Sequence, residues 1–234
     1  MCGPKVQAIL IGVCYTLFVY FLFSGNTFLT YCFGALILPI ITVFYFCSVQ
    51  QRSIYFVLFL VIYSLSDLIS IFAENLPIRT GYYICNTLYI LAYIALSVEI
   101  ARSLDFQKIL KHYKFSIIVL LLLNAYIAYQ LLQIVNPDIL FGSIYITEIT
   151  YNIVMLLILS FALLNYFNKD SRKAFYILVG TLCIVFAEVL NVAYLYVSKQ
   201  NLLSLLTISL GLIGFYFLYA QAKLNYKKTD KALS

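Results

Sequence analysis

Charge is scarce in this sequence. Only 10% of the 234 residues are charged, while 64% are hydrophobic. A soluble domain carries about 25% charged residues, so a water-exposed surface over most of this chain is excluded. Histidine is nearly absent: His112 is the single one, and it lies in a basic loop. That argues against a histidine-based metal site and a serine–histidine triad. The six cysteines (Cys2, Cys14, Cys32, Cys47, Cys85 and Cys183) form no CxxC pair and no metal-type spacing. All but Cys2 fall in apolar segments and read as small buried hydrophobes. No GxSxG, HExxH, P-loop or GxGxxG motif occurs. Serine hydrolase, zinc protease, ATPase and nucleotide-dependent oxidoreductase chemistry therefore have no support, and neither a metal nor a cofactor is expected.

What is present is a series of long apolar runs. A helix needs roughly 20 apolar residues to cross a bilayer, and such runs fall near 6–23, 28–48, 54–73, 82–102, 115–134, 144–166, 175–197 and 202–222. The breaks between them hold Gly25-Asn26, Pro77, Asn136-Pro137-Asp138, Asn168-Lys169-Asp170-Ser171 and Gln200-Asn201. Backbone in lipid must satisfy its own hydrogen bonds, so uniformly apolar runs of this length are helices. The first run is followed by no small-residue cleavage site and is expected to be retained. The expectation is an all-α polytopic bundle of about eight transmembrane helices over residues 1–222, with a short basic tail over 223–234.

The cations test that count. Lysine and arginine concentrate on the cytoplasmic side of a membrane. With eight crossings, 13 of the 15 cations fall on one side, and only Arg79 and Lys199 fall on the other. A wrong count would mix the two sets. Both ends are thereby placed in the cytoplasm. The net charge of +6 is accounted for by loops facing anionic headgroups, and no nucleic-acid partner is expected. A faint repeat also runs through the chain. Asp67 and Glu99 are separated by 32 residues, and Glu188 and Gln221 by 33. Arg102 and Lys223 follow the second members. The first four and last four helices would then be parallel repeats, as in some transporters.

Ionisable residues inside a membrane helix are costly and usually face a bundle interior or cavity. With about 1.5 Å of rise per residue, Asp67 and Glu188 lie about 4–5 Å outward of their helix midpoints. Glu148 lies about 11 Å outward and Glu99 about 11 Å inward, near enough to the interfaces to reach water. Glu99 is expected to pair with Arg102, one turn away. Helical spacing adds polar stripes: Tyr63, Asp67, Ser70 and Glu74; Tyr82, Asn86, Tyr89, Tyr93 and Ser97; Glu148, Tyr151 and Asn152; Glu188 and Asn191. These stripes point to a polar cavity opening toward the outer leaflet, with Asp67 and Glu188 at its floor. The competing reading is polar side chains acting as interhelical glue, at about 0.6 kcal/mol each. Pro39 is expected to kink its helix.

Two carboxyl groups in an apolar site suit acid–base work through an oxocarbenium-like transition state. They suit a proton-coupled transporter equally well.

Three stretches resemble the YhhN-like lysoplasmalogenase family. Tyr63-Ser-Leu-Ser-Asp67-Leu-Ile is similar to its small-residue-plus-Asp segment. Val179-Gly180 through Ala187-Glu188-Val-Leu-Asn191 is similar to its G…F-x-S-D segment. Phe215-Tyr216-Phe-Leu-Tyr219-Ala220-Gln221 is similar to its Y-x-x-A-Q ending. Glu188 stands where the family has Asp, Tyr93 where it often has a histidine, and Pro39 follows Leu38 in place of a Lys-Pro near the start of the second helix. The resemblance implies eight helices and hydrolysis of the vinyl-ether bond of a membrane lipid, a lyso-ether phospholipid. Asp67 and Glu188 would be the catalytic pair, without an order between them. Tyr63, Ser70, Asn86, Tyr89, Tyr93, Glu148, Asn152 and Asn191 would contact substrate. The other readings are a small-solute or lipid transporter and a membrane-embedded sensor or interaction module. A bacterial inner membrane is the expected location, an internal eukaryotic membrane the other assignment.

Overall fold

A computed structural model describes residues 4–72, 77–135 and 143–233. Nine helices occur among them: α1 (Pro4–Ser24), α2 (Thr27–Ser48), α3 (Ile54–Phe72), α4 (Ile78–Ala101), α5 (Phe106–His112), α6 (Lys114–Ile134), α7 (Ser143–Lys169), α8 (Arg172–Tyr196) and α9 (Asn201–Leu233). Eight of them are long and apolar enough to cross a membrane, and α5 is the exception. The chain is a multi-pass, all-α membrane protein.

Local chemistry sets the boundaries. The α1–α2 turn uses Gly25 at φ +80°, a left-handed conformation that glycine adopts without strain. Asn26 then caps α2 by accepting from the Leu29 amide at 3.1 Å. Ser171 caps α8 through the Ala174 amide at 3.2 Å. The short α5 is capped by Asp105, which accepts from the Lys108 amide at 3.3 Å. That helix sits in the loop read from sequence as merely basic. Its seven residues bury Ile109 and carry Lys111 and His112 in the last turn, so it is too short to span. α4 begins at Ile78, not at 82, because Pro77 serves as its N-cap and proline tolerates the first turn of a helix. α9 runs on to Leu233, so the basic tail continues the last helix. Pro39 lies inside α2. The Asn136-Pro137-Asp138 break and Glu74 lie outside the described residues.

The outer surface is what lipid requires. α6 has Phe115 80% exposed and Leu122 67% exposed, side chains that water would not tolerate in such density. Among the cysteines, Cys14 and Cys85 are buried, Cys32 and Cys183 are half-buried, and Cys47 is exposed. The expectation of uniformly buried cysteines therefore fails where the helix surface faces lipid, which accepts a thiol as readily as the core does. Cys2 lies outside the described residues.

The packing order is similar in the two halves. α1 packs on α2, α2 on α3, and α3 on α4; α6 packs on α7, α7 on α8, and α8 on α9. Across the halves, α4 packs on α7 and α9 on α2. These cross-contacts exchange under a shift of four membrane helices, which is the relation a parallel repeat requires.

The tightest crossing is between α8 and α9. A Cβ added at Gly180 would lie 3.0 Å from the Gly214 carbonyl oxygen and 2.9 Å from Leu218. A Cβ at Gly214 would lie 2.9 Å from the Gly180 oxygen and 2.8 Å from Ile184. Membrane helices attract mainly by packing, so small residues at a crossing carry much of the association. Gly180→Leu or Gly214→Leu is expected to cost about 1–3 kcal/mol by overpacking. Thermal unfolding in detergent should show a lowered midpoint for either variant and no change for Gly12→Ala, since a Cβ added at Gly12 would meet no neighbouring helix within 4 Å among the described residues.

Candidate functional site

A plug of aromatic rings closes the half of the bundle where α2 ends and α3 begins. Tyr45 meets Phe56 at 5.1 Å between centroids, Phe59 meets Tyr63 at 5.9 Å, and Phe215 meets Tyr63 at 5.0 Å. Tyr45 and Phe56 are 1% and 2% exposed and Phe59 is fully buried. Edge-to-face pairs at such distances add about 0.5–1.5 kcal/mol each beyond area burial.

Outward of this plug the helices part around a cavity of about 660 Å³. Its wall begins at Tyr63 and Phe215 and reaches Leu22, Gly25 and Thr27 at the α1–α2 turn and Tyr196 at the end of α8. It thus opens among the helix ends on the face that carries Arg79 and Lys199. α1, α2, α3, α4, α7, α8 and α9 all contribute to it. Ligand cavities commonly measure 300–1,000 Å³.

Asp67 on α3 and Glu188 on α8 both line this cavity, and so does Glu148 on α7. Each carboxylate accepts from tyrosine. Tyr63 donates to Glu188 Oε1 at 2.8 Å, and Tyr93 donates to the same oxygen. Tyr89 donates to Asp67 Oδ1 at 2.7 Å. Tyr82 donates to Glu148 Oε1. The tyrosines also touch one another: Tyr63 meets Tyr89 at 4.8 Å and Tyr93 at 5.7 Å, and Tyr93 meets Tyr151 at 5.7 Å. A continuous aromatic cluster therefore connects the partners of Asp67 with those of Glu188. Glu188 is 8% exposed and Glu148 7%, while Asp67 is half-buried. Carboxylates held by hydroxyl donors beside an open cavity can exchange protons with an occupant without being moved.

The other sequence-derived candidates divide. Tyr63, Ser70, Asn86, Tyr89 and Asn191 line the cavity. Ser70 is exposed, and its hydroxyl donates to the Asp67 carbonyl at 2.7 Å. Tyr93 is fully buried and is not on the wall; it supports Glu188 from beneath. Asn152 is also off the wall, 1% exposed, with an amide oxygen that has no hydrogen-bond partner among the described residues. Glu99 has a different partner from the one expected. Its carboxylate accepts from Ser53, while Arg102 lies 5.0 Å over the Tyr55 ring. Sequence reasoning missed Thr30, Tyr196 and Thr207 on the wall. Single hydroxyls on otherwise apolar helices give no periodic signal. No group of three or more metal-ligating side chains occurs among the described residues.

No family model, curated protein or solved structure matches this chain.

Removing one hydroxyl from the Glu188 cluster leaves a buried acceptor short of a donor, at a cost of about 1–3 kcal/mol. Tyr93→Phe should therefore lower the thermal midpoint in detergent. Tyr129→Phe, whose ring is 58% exposed on the lipid face, should leave it unchanged.

Proposed function

We propose that this membrane protein hydrolyses the vinyl-ether bond of single-chain ether phospholipids, with Asp67 and Glu188 as its acid and base. The observation that carries this reading is the presence of both carboxyls on the wall of one cavity of about 660 Å³. Apolar lining from Phe18, Leu22, Ile37, Leu38 and Leu212 suits the hydrocarbon part of such a lipid. The reading keeps the chain with the lysoplasmalogenase-like proteins its motifs resemble, and a bacterial inner membrane fits its segregated cations.

The chemistry balances with water as the only co-reactant. One carboxylic acid protonates the outer vinyl carbon, and the alkene π pair becomes the new C–H bond. The ether oxygen shares its lone pair, giving an oxocarbenium ion. The second carboxyl, as carboxylate, takes a proton from water as the water oxygen bonds to the cationic carbon. The resulting hemiacetal collapses. Its carbon–oxygen bond to glycerol breaks as the hemiacetal hydroxyl becomes the carbonyl, the proton that hydroxyl loses ends on the glyceryl oxygen, and an aldehyde leaves. Transfer of one proton between the two carboxyls restores the pair. In this reading Glu148, Asn86 and Asn191, which share the wall, hold the polar end of the lipid.

A second reading is a proton-coupled transporter. It is favoured by the matching packing order of the two halves, with one acid on α3 and the other on its counterpart α8. The decisive assay is release of fatty aldehyde from a lyso vinyl-ether phospholipid by the purified protein. Hydrolysis predicts activity in the native chain and a loss of about 10²-fold or more in both Asp67→Asn and Glu188→Gln. A folded native chain that releases no aldehyde, but drives proton uptake into vesicles when the lipid is added, would carry the second reading instead.

A further inference from the structure

The charge inside the cavity is one-sided. Three of the nine acidic residues in the chain, Asp67, Glu148 and Glu188, are on its wall. No lysine, arginine or histidine lines it among the described residues. The two cations of the outer face, Arg79 and Lys199, are not on the wall either. An occupant with no cation of its own would bury negative charge against three carboxyls with no counter-charge, which low-dielectric surroundings penalise heavily, whereas a zwitterionic headgroup brings its own ammonium.

The remaining lining is aromatic and apolar. Seven tyrosines are on it. Near Glu148, Tyr82 donates to its carboxylate, and Tyr196 is on the same wall. The Thr207 hydroxyl, also on the wall, has no hydrogen-bond partner among the described residues. A carboxylate flanked by tyrosine rings is the arrangement that receives ammonium groups, through ion pairing and the negative faces of the rings. Beyond it, Leu22, Ile208 and Leu212 offer room for a chain.

We propose that this cavity binds amphiphilic organic cations, with an amine or quaternary ammonium group held by Glu148 and its tyrosines and an apolar chain along the α1, α2 and α9 side. Binding of this kind needs no bond cleavage and stands apart from the hydrolase reading. The test uses octyl amphiphiles, which contain no vinyl ether, so a chain inactive as a hydrolase can still bind them and an active one can fail to. Purified full-length protein in an uncharged detergent is titrated with octyltrimethylammonium, octyl phosphate, octyl glucoside or octylphosphocholine. The shift of the thermal midpoint gives an apparent Kd.

Octyltrimethylammonium should raise the midpoint in a saturable way, and octyl phosphate and octyl glucoside should not. Glu148→Gln should weaken the cation by about tenfold. Octylphosphocholine binding as well as the simple cation would support a lipid headgroup as the source of the ammonium; weaker binding would support a free amine. Equal stabilisation by octyl phosphate or octyl glucoside would overturn the proposal, as would undiminished cation binding in a folded Glu148→Gln. The ligand comparison is made on the unaltered chain, so it decides the matter even if the variant does not fold.

Discussion

Tyr63 on α3 and Tyr93 on α4 both donate to one oxygen of Glu188 on α8, and this junction ties the first half of the chain to the second at the inner end of the cavity. Removing it would leave a buried carboxylate without donors between helices that lipid does not push together. Hydrocarbon supplies no hydrophobic drive for helix association, so packing and polar contacts must hold the bundle. The aromatic plug and the Gly180–Gly214 crossing supply packing on the same two sides of the junction. The cavity exists because the rings stop at Tyr63 and Phe215. Beyond them the helices separate, and small residues such as Gly34 and Gly211 line the space.

Lipid also accounts for the division of polar groups. Elsewhere in the bundle several are satisfied in pairs: Thr42 with Ser64 at 2.7 Å, Asn124 with Ser160 at 2.7 Å, and Gln7 with Ser48 at 2.9 Å. These contacts fit interhelical glue. The three cavity carboxylates differ, because each has tyrosine on one side and open space on another. That difference separates a site from a structural contact, and it underlies both the hydrolytic reading and the binding of cations.

The eight crossings were legible in the sequence because a bilayer imposes a minimum run length and sorts cations by side. α5 was not, because seven residues capped by Asp105 fall below any spanning length and sit among loop cations. Asp67 and Glu188 were legible because a carboxyl in hydrocarbon is too costly to be idle. Helical spacing selected the right face of α4 but not the depth: Tyr89 reaches the wall, while Tyr93, one turn further in, falls beneath it. Asn152 was misplaced in the same way, on the right helix but outside the cavity. Glu99 went to Ser53 and not to Arg102, since a contact across helices was open to it. Thr207 and Tyr196 became visible only when α9 was brought beside α1 and α2, and α8 beside α7, which is tertiary information.

The central claim is that Asp67 and Glu188 share one space. Its most direct test is thiol crosslinking of the double variant Asp67→Cys and Glu188→Cys in a background with the native cysteines replaced by serine. A short bifunctional thiol reagent should join the pair efficiently in native membranes and join Asp67→Cys with a lipid-facing partner such as Leu122→Cys not at all. If positions 67 and 188 never crosslink while pairs chosen from the α8–α9 crossing do, the shared cavity is wrong.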